Sequence, residues 1–333
     1  MSTVDRNQMR ALVLTDSGPV LVSDYPIPQP GDGEALIKVR MTGICATDLQ
    51  LVAGYKGGYR GVLGHEFVGE VVEAPGFEEW IGRRVVGELN VGCGECDLCQ
   101  SGLRKHCHRR KALGIMGLDG ALADYLVLPV ANLHHVPDQM PDNHAVFTEP
   151  CAAALRIIEQ LPGIGNLKVM VVGDGRLGLL VSQALSTTGC DLTVVGHNAQ
   201  KLALLQEMGI PCVLIADERE LREYRYSVDV AVEVTGSYSG FDVALNLVRP
   251  AGTLVLKSTL AGGVRALNVS RVVVDEITVI GSRCGPFRPA IDMLLREAVV
   301  VEPMIHACYN LNDVLEALDF AGQKGTLKVL VAP

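Results

Sequence analysis

VMVVGDGRLGLLVSQALSTTG, residues 169–189, decides how the second half of this chain folds. VMVV is a short apolar run of the kind that forms a buried strand, and RLGLLVSQALSTTG carries apolar residues at helical spacing. Between them lies Gly173-Asp174-Gly175-Arg176-Leu177-Gly178. Gly173 permits the tight turn, Gly175 lets a pyrophosphate approach the backbone, and Gly178 allows helix and strand to pack closely. Arg176 and Leu177 open the helix, whose free N–H groups and positive dipole end would face the phosphates. The six-residue pattern is weak by itself in a chain with 36 glycines. The strand before it and the amphipathic helix after it turn it into a dinucleotide-binding signal.

Downstream the alternation continues. DLTVVG (191–196), VDVAVEVTG (228–236), GTLVLKS (252–258) and VVVDEITVIGS (272–282) read as strands. AQKLALLQEMG (199–209) and FDVALNLVRP (241–250) read as helices. Repeated βα units imply a doubly wound parallel sheet, here over residues 149–287. Its second strand ends in Gly196-His197-Asn198, with Lys201 one turn on, where an acid would grip the adenosine ribose of NAD. With no acid at that position and three donors nearby, NADP(H) is expected in preference to NAD(H).

Residues 1–148 read differently, as short strands punctuated by Gly and Pro: ALVL (11–14), EALIKVRMTG (34–43), EFVGEVVEA (66–74), RRVVGEL (83–89) and DYLVLP (124–129). After 288 come a helix, a linker, a helix and a last strand, TLKVLVAP (326–333), which lacks a βα partner and is expected to return to the first domain. At 333 residues two domains are expected. A 48% hydrophobic, 20% charged composition excludes a largely disordered chain. The net charge of −9 disfavours a nucleic-acid partner. RKHCHRRK (104–111) is the one short basic cluster, read as solvated surface. No apolar run is long enough for a membrane span, and MSTVDRNQMR (1–10) lacks the apolar core of a signal peptide. The expected setting is soluble and cytoplasmic.

Ten cysteines are unevenly placed. Cys93, Cys96, Cys99 and Cys107 fall in GCGECDLCQSGLRKHC, and four such thiolates in a reducing compartment suit tetrahedral Zn²⁺ better than disulfides. Four sulfurs close the shell, so this zinc would be structural. A redox cluster is the competing reading. Elsewhere Cys45 sits in GICATD (43–48), His65 in GHE (64–66), and Glu149 in Glu149-Pro150.

Taken in order, GICATD, GHE, the four-cysteine lobe, Asp119-Gly120 with Asp124-Tyr125, Glu149-Pro150 and GDGRLG resemble the zinc-dependent medium-chain dehydrogenase/reductase family. That family includes alcohol, polyol and threonine dehydrogenases, and the likeness runs nearly end to end. It implies an α/β fold: a GroES-like, β-rich catalytic domain completed by 288–333, and a Rossmann coenzyme domain, with the active site between them. It implies two zincs per chain. Cys45 and His65 match catalytic-zinc ligands, with Glu66 and Glu149 as the acids that can complete the set. Cys93, Cys96, Cys99 and Cys107 match the structural site. Thr47 matches the hydroxyl that bonds the substrate oxygen, and Asp48 a carboxylate behind the ligands. Gln50 stands where many relatives carry a relay His, and Leu89 where alcohol dehydrogenases place a pocket aromatic. The implied reaction is hydride transfer between the coenzyme and a secondary alcohol, polyol or related carbonyl, in a homodimer or homotetramer. The alternatives are a NAD-dependent threonine- or sugar-dehydrogenase-like enzyme and a redox-inactive protein on the same fold.

Overall fold

In the first unit, β1 (Gln8–Thr15) and β2 (Gly18–Pro26) form an antiparallel hairpin. β2 was not among the expected strands because both its faces are partly exposed and its apolar residues do not alternate cleanly. β3 (Glu34–Gly43) leads into α1 (Ala46–Val52), and β4 (Gly61–Val62) pairs with β1. β5 (Glu66–Glu73) and β6 (Arg84–Gly87) extend the sheet from β3 in antiparallel steps. β7 (Asn90–Val91), α2 (Asp97–Gln100), β8 (Lys111–Leu113) and β9 (Gly117–Leu118) make the small cysteine-bearing lobe. β10 (Tyr125–Pro129) pairs with β3, and β11 (Leu133–His135) with β6. α3 (Asp142–Ala145) follows, and α4 (Thr148–Gln160) starts here and runs on into the second unit. This computed structural model describes residues 7–54, 58–259 and 269–333; residues 1–6 of the polar leader lie outside it.

The second unit, Pro150–Val300, holds β12 (Lys168–Val172), α5 (Arg176–Ser186), β13 (Asp191–Gly196), α6 (Ala199–Glu207), β14 (Cys212–Leu214) and β15 (Val228–Glu233). It continues with α7 (Tyr238–Leu247), β16 (Val248–Leu256), α8 (Val269–Val274), β17 (Thr278–Gly281) and α9 (Phe287–Leu295). The sheet order is β14-β13-β12-β15-β16-β17, every pairing parallel. The order reverses between β12 and β15, a switch point at which such sheets bind ligands beyond the carboxyl ends of their strands. The glycine turn follows β12 there. Met170, Val195, Ala231, Phe241 and Leu254 pack the core.

Two sequence readings in this unit need correction. FDVALNLVRP is helical only to Leu247; Val248 already pairs with Val228, and the strand then bulges through Ala251 at φ +58°. VVVDEITVIGS is a strand only over 278–281, because Val272–Val274 end α8. The Arg271 guanidinium bonds the carbonyls of Leu245 and Val248 and pairs with Asp275 at 2.9 Å. Those bonds hold a helical turn against the β preference of valine.

The chain returns to the first unit at Val301, later than 288. The reason is Gln183, whose side chain bonds both backbone groups of Val300, at 3.1 and 2.7 Å, and so ties the segment after α9 to α5. β18 (Ile305–Asn310), read as linker, is a strand with alternate residues exposed. α10 (Val314–Gly322) and β19 (Lys328–Ala332) complete the unit. β19 pairs parallel with β18 and antiparallel with β3, giving the order β11-β6-β5-β3-β19-β18. Leu12, Ile44, Leu63, Leu122, Val314 and Val331 lie in its core. Among the described residues no helix is long and apolar enough to cross a membrane.

Candidate active site and metal centres

Strand register brings the first cluster together. Gly43, the last residue of β3, pairs with Glu66, the first of β5. Cys45, two residues past β3, and His65, one before β5, therefore meet at one end of the sheet. Ile44 N–H bonds Val329 O at 3.0 Å, fixing the β3 end against the last strand. Gly64 sits at φ +95°, and a Cβ there would lie 2.7 Å from Leu122 N, so His65 enters through a turn that only glycine fits.

Asp48, fully buried on α1, fastens these segments. Its carboxylate accepts from Cys45 N–H at 2.8 Å and Gly64 N–H at 3.3 Å, and faces His65 Nδ1 at 3.4 Å. That ring nitrogen is buried and makes no hydrogen bond among the described residues. Ligand atoms of Cys45, His65 and Glu66 all lie within 4.8 Å of one another. Burial pushes the His65 imidazole pKa down, but the Asp48 carboxylate and the Cys45 sulfur outweigh it and hold the pKa well above the ordinary value. The pocket thus favours positive charge. A sulfur, an imidazole and a carboxylate converging there, with a carboxylate behind the ring, fit a catalytic zinc. Thr47 Oγ1 lies 3.8 Å from Cys45 Sγ, so the hydroxyl stands beside the cluster.

Glu66 has a partner that the sequence did not reveal. Its carboxylate is paired with the Lys328 ammonium from β19, both residues being almost wholly buried. Lys328 Nζ also lies 5.4 Å from the Phe147 ring centroid. The available signal was a lone cation in the apolar strand TLKVLVAP. Glu149, in the first turn of α4 and half-buried, is not part of the three-ligand group. Gln50 is half-buried on α1, and Leu89 is buried. Cys151 is fully buried, and burial pushes its thiol up to about 12.

In the lobe, the sulfurs of Cys93, Cys96, Cys99 and Cys107 also lie within 4.8 Å of one another. Cys93–Cys99 is 4.0 Å and Cys96–Cys107 is 3.7 Å. A zinc tetrahedron with bonds of about 2.3 Å has sulfurs about 3.8 Å apart, so the four fit that ion. Backbone N–H groups of Glu95 and Cys96 hold the Cys93 thiol down at about 6, whereas burial pushes Cys99 up to about 11. From the basic stretch, Arg109 pairs with Glu95 and reaches Cys93 Sγ at 3.4 Å, which makes it a surface brace of the lobe.

The glycine turn has the expected form. Gly173 is at φ +128°, and a Cβ on Gly178 would lie 2.1 Å from Gly173 O. Gly175 is the N-cap of α5, and among the described residues nothing beyond its chain neighbours lies within 4 Å of its Cβ position, so backbone is open there. Arg176 and Leu177 are the first helical residues, and Lys201 lies in the first turn of α6 behind the Asn198 cap. One premise fails. Asp174 Oδ2 accepts from the N–H groups of His197 and Asn198, both at 2.7 Å, so a carboxylate does stand at the end of β13. Sequence reasoning also passed over Glu233, fully buried at the end of β15, whose Oε1 accepts from Thr235 and Gly236 and shapes the next loop.

Comparison with known proteins gives concordant matches. The alcohol dehydrogenase GroES-like domain model matches residues 31–138, and the zinc-binding dehydrogenase model residues 177–297. The chain is similar to a sorbitol dehydrogenase of Halalkalibacterium halodurans, 30% identical over 98% of this chain and 99% of that protein. It is 29% identical to a D-arabitol-phosphate dehydrogenase of Enterococcus avium, over 92% of each. A Sinorhizobium meliloti structure described as a zinc-binding dehydrogenase bound to NADP superposes with a TM-score of 0.89 at 27% identity, covering 98% of this chain and all of that one.

Proposed function

Because the chain belongs to the zinc-dependent medium-chain dehydrogenase/reductase family, with its GroES-like and Rossmann folds, we propose that it interconverts a secondary alcohol or polyol and the corresponding carbonyl compound using a nicotinamide dinucleotide. The observation that carries this reading is the cluster of Cys45, His65 and Glu66 ordered by Asp48. It also disfavours the redox-inactive alternative, since a protein relieved of catalysis has no need of a buried, charge-favouring ligand set.

Cys45, His65 and Glu66 would hold the catalytic zinc, with Glu149 the other candidate acid. Cys93, Cys96, Cys99 and Cys107 would hold a second, structural zinc. When bound, the catalytic zinc supplies Lewis acidity at the substrate oxygen, and the nicotinamide supplies or takes up hydride. The chain's own residues do the rest. Asp48 fixes the backbones of Cys45 and Gly64 and sets a negative charge behind the imidazole as charge develops. Thr47 Oγ1 bonds the substrate hydroxyl and carries its proton away in the oxidation direction. Gln50, at i+3 on the same helix, can pass on a hydrogen bond but cannot hold that proton near neutral pH. Gly173, Gly175, Arg176, Leu177 and Gly178 would seat the pyrophosphate, and the loop Gly196–Asn198 with Lys201 would meet the adenosine ribose. The NADP(H) preference expected from Gly196 loses its premise to Asp174, which favours the NAD-dependent alternative.

Many free cysteines and a four-thiolate lobe suit a reducing, cytoplasmic setting, and family likeness suits a homodimer or homotetramer. The test is a screen of the zinc-loaded protein against polyols, secondary alcohols, sugars and amino alcohols, with NAD and NADP in parallel. Turnover confined to one group names the substrate class. No turnover with any, in protein holding two zincs, refutes the enzyme reading.

A further inference from the structure

The end of β13 is the part of the coenzyme domain whose chemistry departs from its sequence. Gly196 offers no side chain, yet the space beside it is filled. A Cβ on Gly196 would lie 2.5 Å from Asp174 Oδ2, 2.7 Å from Asp174 Cβ and 2.8 Å from Asp174 Cγ. The carboxylate of the glycine turn therefore occupies the volume into which an acid at position 196 would project. It is held there by the N–H groups of His197 and Asn198, at 2.7 Å each.

The groups around the strand end are partly committed, which leaves the side-chain amide of Asn198 and the ammonium of Lys201 as the donors a 2′-phosphate could still meet. Both backbone donors are spent on Asp174. His197 Nδ1 is 2.9 Å from Ile215 O, so that nitrogen donates to a carbonyl. Asn198 Oδ1 accepts from Lys201 N–H at 3.1 Å as the cap of α6. Lys201 remains a nearby cation. Burial lowers its pKa, Asp174 raises it, and Arg176 lowers it further. An incoming phosphate dianion would meet those cations only beside a carboxylate fixed by two hydrogen bonds.

Given that the turn binds a dinucleotide, as proposed above, we infer that Asp174 replaces the missing strand-end acid, accepting from the adenosine ribose hydroxyls and excluding a 2′-phosphate, so that the coenzyme is NAD(H). A carboxylate with one oxygen engaged keeps lone pairs on the other for a ribose hydroxyl. In most such folds the acid comes from the second strand; here it comes from the first loop, and Gly196 is the residue that makes room for it.

The experiment compares binding of ADP-ribose and 2′-phospho-ADP-ribose by calorimetry, alongside kcat/KM for NAD and NADP with one substrate, in the zinc-loaded protein. Wild type should prefer the unphosphorylated ligand by about tenfold or more, the size of one charge-assisted contact. Asp174→Asn keeps the shape and an acceptor but loses the charge. It should cut that preference by about tenfold, mainly through tighter binding of the phosphorylated ligand, while the melting temperature stays near wild type. Asp174→Gly should weaken the preference likewise, and adding Gly196→Asp to it should restore the preference from the neighbouring backbone position. A residue that merely stapled two loops would change stability and the affinity for both ligands together. Wild-type preference for the phosphorylated ligand, or an unchanged ratio in Asp174→Asn, overturns the assignment while leaving the coenzyme reading intact. Binding of neither ligand to wild type overturns both.

Discussion

Replacing Lys328 by Met should be among the most damaging single changes available in the first unit outside its apolar core. Lys328 and Glu66 are 2% exposed each, and their charged groups are in direct contact. Met keeps the aliphatic volume against Phe147 but removes the ammonium, leaving the carboxylate buried without its counter-charge. Removing one partner of a buried ion pair costs about 3–5 kcal/mol. In a unit of this size each kcal/mol lowers the melting temperature by roughly 2–4 °C, so the expected drop is about 6–20 °C. Glu66→Gln alone should also destabilise, because it strands the lysine. The double variant should lose less than the sum of the single losses, with a coupling of about 0.5–3 kcal/mol. Calorimetry and chemical denaturation of proteins free of the catalytic zinc, whose charge would otherwise neutralise Glu66, followed by a probe in the first unit, read these differences. A loss below about 1 kcal/mol for Lys328→Met, a value typical of exposed pairs, would refute the view that Glu66 is held in place by this contact.

Other changes separate the metal centres from the coenzyme turn. Cys96→Ser should lower the zinc content from two to one per chain, measured by mass spectrometry of the metal, and reduce stability while alcohol oxidation persists in the surviving folded protein. His65→Ala should abolish turnover yet leave ADP-ribose binding intact by calorimetry, since the glycine turn belongs to the other unit; loss of both would contradict that division. Thr47→Ala should lower kcat by about 10²–10⁴-fold with little change in zinc content, and wild-type turnover would remove Thr47 from the proton path.

What the sequence disclosed and what it withheld follow from the range of the interactions involved. The parallel sheet was legible because each strand, turn and helix carries its own local pattern, and Gly173 and Gly178 are demanded by contacts five residues apart. Where local preference met tertiary bonds it lost: Val272–Val274 look like strand but are helical because Arg271 anchors their helix to carbonyls more than twenty residues upstream. Cys45 and His65 were found by family likeness; the reason they meet, the pairing of Gly43 with Glu66, lies in a strand register that no local pattern encodes. The polar partners were hardest to see. Lys328 closes on Glu66 across 262 residues, and its one trace in the sequence was a cation inside an apolar strand, where an unpaired charge would be too costly to bury. Asp174 reaches His197 across 23 residues and left the opposite trace, a glycine where an acid belonged. A residue that breaks a local rule, either a charge in an apolar strand or a glycine at a binding edge, thus marks a place where the compensating group arrives from elsewhere in the chain. At both of these places that group bears on the proposed chemistry: one pairs with an acid of the proposed metal site, and the other would, as inferred above, decide which phosphate the coenzyme can carry.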